Sequence, residues 1–396
     1  MPIADGSLRI ADLIRERGPL TVAAFMELAL YDSEIGYYAR AGQRSGRAGD
    51  FFTSVDVGPV FGELLEMQLA EMWRLLHSKF QTPSSGFDLV EAGAGNGRLS
   101  ADILRAARAR DADFYHAARL HLVEASAAAR AAQPATLGDL GERLVASSDA
   151  LPASFEGVLI ANELLDAFPV QQVVMREDGL REVYVTGSDP NSGSAPAGRL
   201  RLVEGPPSTP ALAEYLDRLG VSLEPGWRVE INLRAIQWIR DAALRLTRGF
   251  IILIDYGHEA RELYSLSHAA GTLTTYARHQ SAGPESDGGP AWLQNPGGHD
   301  ITAHVDFTSV RAAAETEGLT TIGFLDQTYF VLGLLTGGRE SFGESAAEMT
   351  KLASDSRPLK TLLMPGGLGS THKVLILGKG VGSPTLRSLS FKVRAT

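Results

Sequence analysis

From Phe87 to Gly257 the chain alternates short apolar runs with helical segments, and this alternation limits the fold more than any other feature. FDLVEAG (87–93), RLHLVEAS (119–126), RLVASS (143–148), FEGVLIAN (155–162) and GFIILIDYG (249–257) read as five strands, with helices between them. A strand that is apolar throughout has no face fit for water, so it needs cover on both sides; intervening helices supply it. The pattern predicts an α/β fold around a parallel sheet. TIGFLDQ (321–327) and HKVLILGK (372–379) can add a sixth and a seventh strand. Residues 1–80 read as a mostly helical N-terminal region, 81–380 as the core and 381–396 as a tail. Two insertions interrupt the core. The first, 170–235, opens with QQVVMREDGLREVYV, a hairpin turning at Asp178-Gly179. The second, 258–310, is rich in Gly and Pro, as lids and binding loops are. SDPNSGSAPAG (188–198) reads as a surface loop.

Composition removes several function classes. There is no cysteine, which excludes disulfides, thiolate nucleophiles and cysteine metal sites. The 47 acidic residues outnumber 37 Lys and Arg, for a net charge of −10, which disfavours a nucleic-acid backbone binder. No apolar run approaches the roughly 20 residues that span a bilayer. The N-terminal MPIADGSLRIADLIRERG has no apolar core of a secretory signal and carries acids that transit peptides lack. A cytoplasmic protein is expected.

The strongest local signal is VEAGAGNGRLS (90–100), where a strand runs into Gly93, Gly95 and Gly97 and then a helix. Glycines there allow a tight turn and let a ligand approach the backbone, with helix N–H groups aimed at it. Glu124 ends the next strand, where an acid would accept from ribose hydroxyls. A dinucleotide fingerprint requires glycine at position 98, which is Arg98 here. G-x-G-x-G preceded by Glu91 fits S-adenosylmethionine (SAM) methyltransferases instead. Ser148 and Asp149, closing the third strand, are adenine-side candidates or a helix cap.

ANELLDAFPV (161–170) follows the fourth strand, at the carboxyl edge of the sheet. Asn162 there could cap a short helix ended by Pro169, with Glu163 and Asp166 near its start. Two carboxylates could also hold a guanidinium bidentately and expose its remaining nitrogen, so Glu163, Asp166 and Asn162 are the catalytic candidates. Nothing calls for a metal, and no convincing metal cluster is legible. Asp255 and Tyr256 end the fifth strand and line the crevice or a plain turn. Tyr276, with Arg278 and His279, forms a substrate wall or an ordinary strand. His304 and Asp306 lie in a stretch rich in capping residues, although a histidine could accept a proton. Arg98, Arg105, Arg108 and Arg110 read as the solvated face of one helix.

Several stretches in order carry a resemblance: GDFFTS (49–54), FGELLEMQLAEMW (61–73), VEAGAGNGRL, HLVEAS, ANELLDAFPV, IDYGHEARELY (254–264), GTLTTYARH (271–279), HDITAHVDFT (299–308) and LKTLLMPGGLGSTHKVL (359–375). Together they resemble the MidA-type methyltransferases, which include a mitochondrial complex I assembly factor that methylates arginine. The resemblance implies a Rossmann-like class I methyltransferase sheet with an N-terminal helical region and an inserted substrate-facing element. It implies SAM contacts at Gly93, Gly95, Gly97 and Glu124, and matches the family's N-E-x-x-D to Asn162, Glu163 and Asp166. It alone gives site roles to Asp50 and Thr53. Val55-Asp56 stands where the family usually has Pro-Glu, and Ala94 and Asn96 where Pro and Arg are common. The implied activity is arginine N-methylation of a protein subunit of respiratory-complex type. A small-molecule methyltransferase and a non-catalytic SAM-binding assembly factor are the alternatives.

Overall fold

A computed structural model describes residues 6–39, 53–78, 86–187, 199–277, 280–281, 289–336, 356–363 and 371–390. The loop expected at 188–198 lies outside them, as do Asp50, Arg278 and His279. The chain forms two compact units. One comprises Met1–Phe51, Leu165–Gln237 and Gly257–Val310; the other comprises Phe52–Leu164, Trp238–Tyr256 and Arg311–Thr396. The segment 1–80, expected as one helical region, is divided. Gly6–Arg17 and Val22–Tyr31 fall in the first unit and Val60–Ser78 in the second.

The second unit is the sheet expected from the apolar runs. Its strands are β1 (Phe87–Ala92), β2 (Ala118–Val123), β3 (Leu144–Ser148), β4 (Phe155–Asn162), β5 (Leu246–His258), β6 (Thr320–Asp326) and β7 (His372–Lys379). They pair in the order β3-β2-β1-β4-β5-β7-β6. The first five are mutually parallel, whereas β7 runs antiparallel to both β5 and β6. Leu89, Val158, Ile160, Phe250, Ile252, Val374 and Ile376 share one core with Phe61 and Leu64 of Val60–Ser78 and Leu104 of Arg98–Arg110. Each fully buried aliphatic side chain contributes roughly 1.5–3 kcal/mol, so a row of them fixes the register.

Two pairings decide what meets at the carboxyl edge. The order reverses between β1 and β4, whose neighbours lie on opposite sides, opening a crevice at their ends. Because β7 is reversed, its first residue, His372, stands opposite Tyr256 near the end of β5.

In the first unit, Gln171–Arg176 and Gly179–Gly187 form the expected hairpin, turning through Glu177 and Asp178. Leu20–Thr21, Leu200–Gly205 and Arg228–Ile231 extend it into a five-stranded antiparallel sheet. Phe25, Met26, Leu30, Val183, Val185 and Trp292 pack as one core of this unit. A smaller sheet joins Gln280–Ser281, Thr274–Ala277 and Asp300–Thr302. Gly257 and His258, the last residues of β5, belong to this unit and pair in parallel with Val305–Asp306. Asp306 Oδ1 accepts from the N–H groups of Thr308 and Ser309, capping the helix Phe307–Thr316 as the sequence suggested.

Candidate active site

In the second unit the glycine run leaves β1 with φ of +72° at Gly93, +52° at Gly95 and +83° at Gly97. A Cβ at Gly93 would meet Leu164, and one at Gly97 would meet Leu122, each at 3.1 Å. These two glycines permit close packing. Gly95 differs: nothing lies within 4 Å of the place a Cβ would occupy. Its left-handed backbone faces open space, the geometry a ligand needs to reach the chain.

The loop is tied to the end of β2. The N–H groups of Gly93 and Ala94 donate to the Val123 carbonyl, at 2.9 and 3.0 Å. Glu124 Oε2 accepts from the Gly95 N–H at 2.8 Å, and Oε1 from the Ser126 N–H at 2.7 Å. A carboxylate offers about four lone-pair positions, so two remain for hydroxyl donors. Gln133 Nε2 donates to the Gly95 carbonyl at 2.9 Å, and Ser147 Oγ donates to Gln133 Oε1 at 2.7 Å. Ser148 turns its hydroxyl to the Ala150 carbonyl at 2.6 Å, while Asp149 is exposed.

Glu91 is buried, and its carboxylate accepts from the N–H and the hydroxyl of Ser100 in the helix after the loop. Burial pushes its carboxyl up to about 7, against the pull of those two hydrogen bonds. This group is occupied in joining β1 to the helix. Thr53 donates from its N–H and hydroxyl to Asp56 Oδ2, at 3.0 and 2.9 Å, and Asp56 Oδ1 pairs with Arg98 Nη1 at 3.0 Å. The arginines of that helix are therefore ion-paired and not simply solvated. Arg105 pairs with Asp102, Arg108 with Asp139 and Arg110 with Glu63.

Beyond β4 no helix forms; residues 163–170 run through bends and turns, so Asn162 caps nothing. Glu163 has a φ of +51°, which non-glycine residues rarely adopt. Neighbouring strands impose it. The Glu163 N–H donates to the Ile254 carbonyl at 2.8 Å, and the Leu164 N–H to Asp255 Oδ2 at 3.1 Å. Strain held by its surroundings in this way clusters at functional sites. Glu163 Oε1 accepts from the Ser54 N–H at 3.3 Å and from Asn162 Nδ2 at 3.4 Å, and lies 3.4 Å from His372 Nε2. Oε2 takes part in none of these contacts. Asn162 Oδ1 is buried without a hydrogen-bond partner among the described residues. The Tyr256 and His372 rings sit 3.9 Å apart by centroid, and Ser54 Oγ donates to Gln327 Oε1 at 3.2 Å.

The edge thus gathers Asn162, Glu163, Asp255 and Tyr256, as expected, together with Ser54, Gln327 and His372, to which the sequence reading gave no individual role. The open face at Gly95, the spare capacity of Glu124 and the unpartnered Asn162 oxygen fit a ligand carrying hydroxyl and amino donors, as SAM does.

The other candidates lie in the first unit. Asp166 is buried, and its carbonyl accepts from the Ala303 N–H at 2.9 Å. Its charge is felt by Tyr31 and Tyr38, whose hydroxyls are pushed well up, first by burial and then by Asp300. Tyr38 donates to Asp300 Oδ1 at 2.8 Å. The backbone of Tyr276 pairs opposite Asp300. His304 is half-buried beside His258 and His268, a group that sequence reading did not bring together.

Comparison with known proteins gives the family. Residues 64–325 match the family described as putative S-adenosyl-L-methionine-dependent methyltransferase. The mitochondrial protein arginine methyltransferase NDUFAF7 homolog of Drosophila melanogaster is 30% identical, over 77% of this chain and 69% of its own. The mitochondrial protein arginine methyltransferase NDUFAF7 of Mus musculus is 30% identical, over 80% and 71%. A Burkholderia thailandensis protein, described as a "likely methyl transferase" and crystallised with S-adenosyl-homocysteine, superposes with a TM-score of 0.81 at 27% identity, covering 98% of this chain and 94% of its own. The mitochondrial names of the relatives overturn the cytoplasmic expectation; absence of cysteine does not decide a compartment. Among the described residues no helix is long and apolar enough to cross a membrane. The chain belongs to this family of SAM-dependent methyltransferases.

Proposed function

We propose that the chain methylates an arginine side-chain nitrogen on a protein, with a respiratory-complex subunit as the acceptor class. The observation that carries this reading is Glu163, whose carboxylate is held at the sheet edge on a strained backbone with Oε2 left out of its contacts. The names of the relatives support a protein arginine as the acceptor.

Bound SAM supplies a methyl group on a cationic sulfur, an electrophile that needs a lone pair in line with it. Gly95 and Glu124 hold the donor, the first by leaving room and the second by accepting from the ribose hydroxyls. Glu91 and Thr53 act at one remove, fixing the helix that follows the glycine run. An arginine guanidinium stays protonated, and its electrons are delocalised. Glu163 Oε2 binds one or two of its N–H groups and draws charge toward the bound nitrogens, so the remaining nitrogen carries more of the lone pair. A charge-assisted hydrogen bond of this kind contributes roughly 1.5–3 kcal/mol. Asn162 and the Ser54 N–H keep Oε1 occupied and the carboxylate aimed.

The test is transfer of labelled methyl from SAM to an arginine-bearing respiratory subunit, followed by hydrolysis and identification of the methylated amino acid. Methylarginine that disappears with Glu163→Gln supports the reading. Label on lysine, on a carboxylate or only on small molecules refutes it.

A further inference from the structure

Three histidines of the first unit converge from separate segments. His258 ends β5, His268 sits in the short 3-10 turn Leu266–His268, and His304 lies between Asp300–Thr302 and Val305–Asp306. Each offers one ring nitrogen such that all three atoms lie within 4.8 Å of one another. Ring centroids are 4.8 Å apart for His258 and His268, 5.2 Å for His258 and His304, and 5.9 Å for His268 and His304. We propose that His258, His268 and His304 form a binding site for a divalent transition-metal ion, zinc by ligand type.

Three further observations support this. Backbone and side-chain bonds place the segments in advance. The His304 N–H donates to Thr272 Oγ1 at 3.0 Å, Thr272 is held by Glu230, and the Gly271 N–H donates to the His268 carbonyl at 2.8 Å. The ring orientations also suit a metal. His268 Nδ1 donates to the Glu262 carbonyl at 3.0 Å, which leaves its Nε2 as the ligand atom, and Glu262 Oε1 lies 3.0 Å from His258 Nδ1. A carboxylate behind a ligating imidazole fixes its tautomer and raises its basicity. Finally, His304 Nδ1 is buried without a hydrogen-bond partner among the described residues.

Metal binding needs neutral imidazoles, and burial with two neighbouring rings holds His304 down to about 4. Zinc–nitrogen bonds of about 2.0–2.1 Å put tetrahedral ligand atoms about 3.3 Å apart. Rotating the side chains closes the present spacing, and the fourth position stays open to water or an acceptor group. Nothing in the methyl-transfer reading requires this ion, so either claim can fail alone.

Full-length, tag-free protein is stripped with a chelator, loaded with zinc or cobalt, desalted, and assayed by elemental analysis and visible absorption. We expect one zinc per chain and a cobalt spectrum of four-coordinate type, both lost in His268→Ala and His304→Ala. Glu262→Gln is expected to weaken zinc affinity about 10–100-fold. His268 sits in a short partly exposed turn and Glu262 is exposed on the helix Ala260–Leu263, so those variants keep the fold even if His304→Ala does not. No retained zinc, or equal retention in wild type and His268→Ala, overturns the proposal. So does a six-coordinate cobalt spectrum that the substitution leaves unchanged.

Discussion

The two units place chemistry by different means. In the second, strand ends do the work: one row of backbone pairing sets Asn162 against Ile254, and the next sets Tyr256 against His372. Asn162, Asp255, Tyr256 and His372 at that edge inherit their places from buried apolar strands. In the first, His268 and His304 are placed by bonds through Thr272, Glu230 and Gly271, and His258 by the end of β5. A sheet edge transmits its position through the whole core, whereas a loop cluster depends on a few bonds. Substitutions at the edge should therefore change chemistry without moving neighbours, and those in the cluster should be felt locally.

The largest expected effect is on rate. Glu163→Gln keeps the shape and removes the charge, and transition-state stabilisers of this kind are worth about 10²–10³-fold in kcat. Steady-state methylation assays check this; a loss below tenfold would place the acceptor group elsewhere.

Next comes stability against pH, where the units differ in sign. Glu91 titrates at about 7 in the fold against 4.5 when unperturbed, so the fold favours its protonated form. Its contribution is complete below pH 4.5 and lost as pH rises to 7, on the order of 3 kcal/mol in all. His304 is the reverse, about 4 against 6.5, so its contribution is complete above pH 6.5 and lost as pH falls toward 4. Denaturant midpoints followed across pH, with chelator present, should show Glu91→Gln flattening the loss on the alkaline side and His304→Ala flattening the acid side. The second effect is smaller because His304 keeps part of its surface in water.

Glu163→Gly separates strain from function. Glycine tolerates a φ of +51°, so the variant should gain about 1 kcal/mol while losing activity. A melt that stays put or falls would mean the left-handed backbone is not strained. Asp56→Ala removes a buried carboxylate that pairs with Arg98 and accepts both Thr53 bonds, and should cost about 1–3 kcal/mol. A larger loss would show that the Thr53 turn also orders the glycine helix.

Much of the second unit was legible because its signals are local. Apolar runs marked β1 to β7, and G-x-G-x-G with Glu124 marked a turn and a strand end that bond to each other, since the two lie close in sequence. The reversed β7 was not legible, because an apolar run carries no direction; His372 therefore drew no notice although its strand was seen. Gln327 and Ser54 reach Glu163's surroundings only through pairing of distant segments. Arg98 looked solvated because its partner, Asp56, lies 42 positions away. The histidine cluster has no spacing motif at all, being assembled from β5, a 3-10 turn and a loop.

Titration calorimetry of SAM into wild type, Glu124→Gln and Glu163→Gln tests the central assignment most directly. The account predicts one bound SAM per chain, affinity about tenfold or more weaker in Glu124→Gln, and unchanged affinity in Glu163→Gln. Equal affinity in Glu124→Gln, or a loss in Glu163→Gln as large as that in Glu124→Gln, would contradict it.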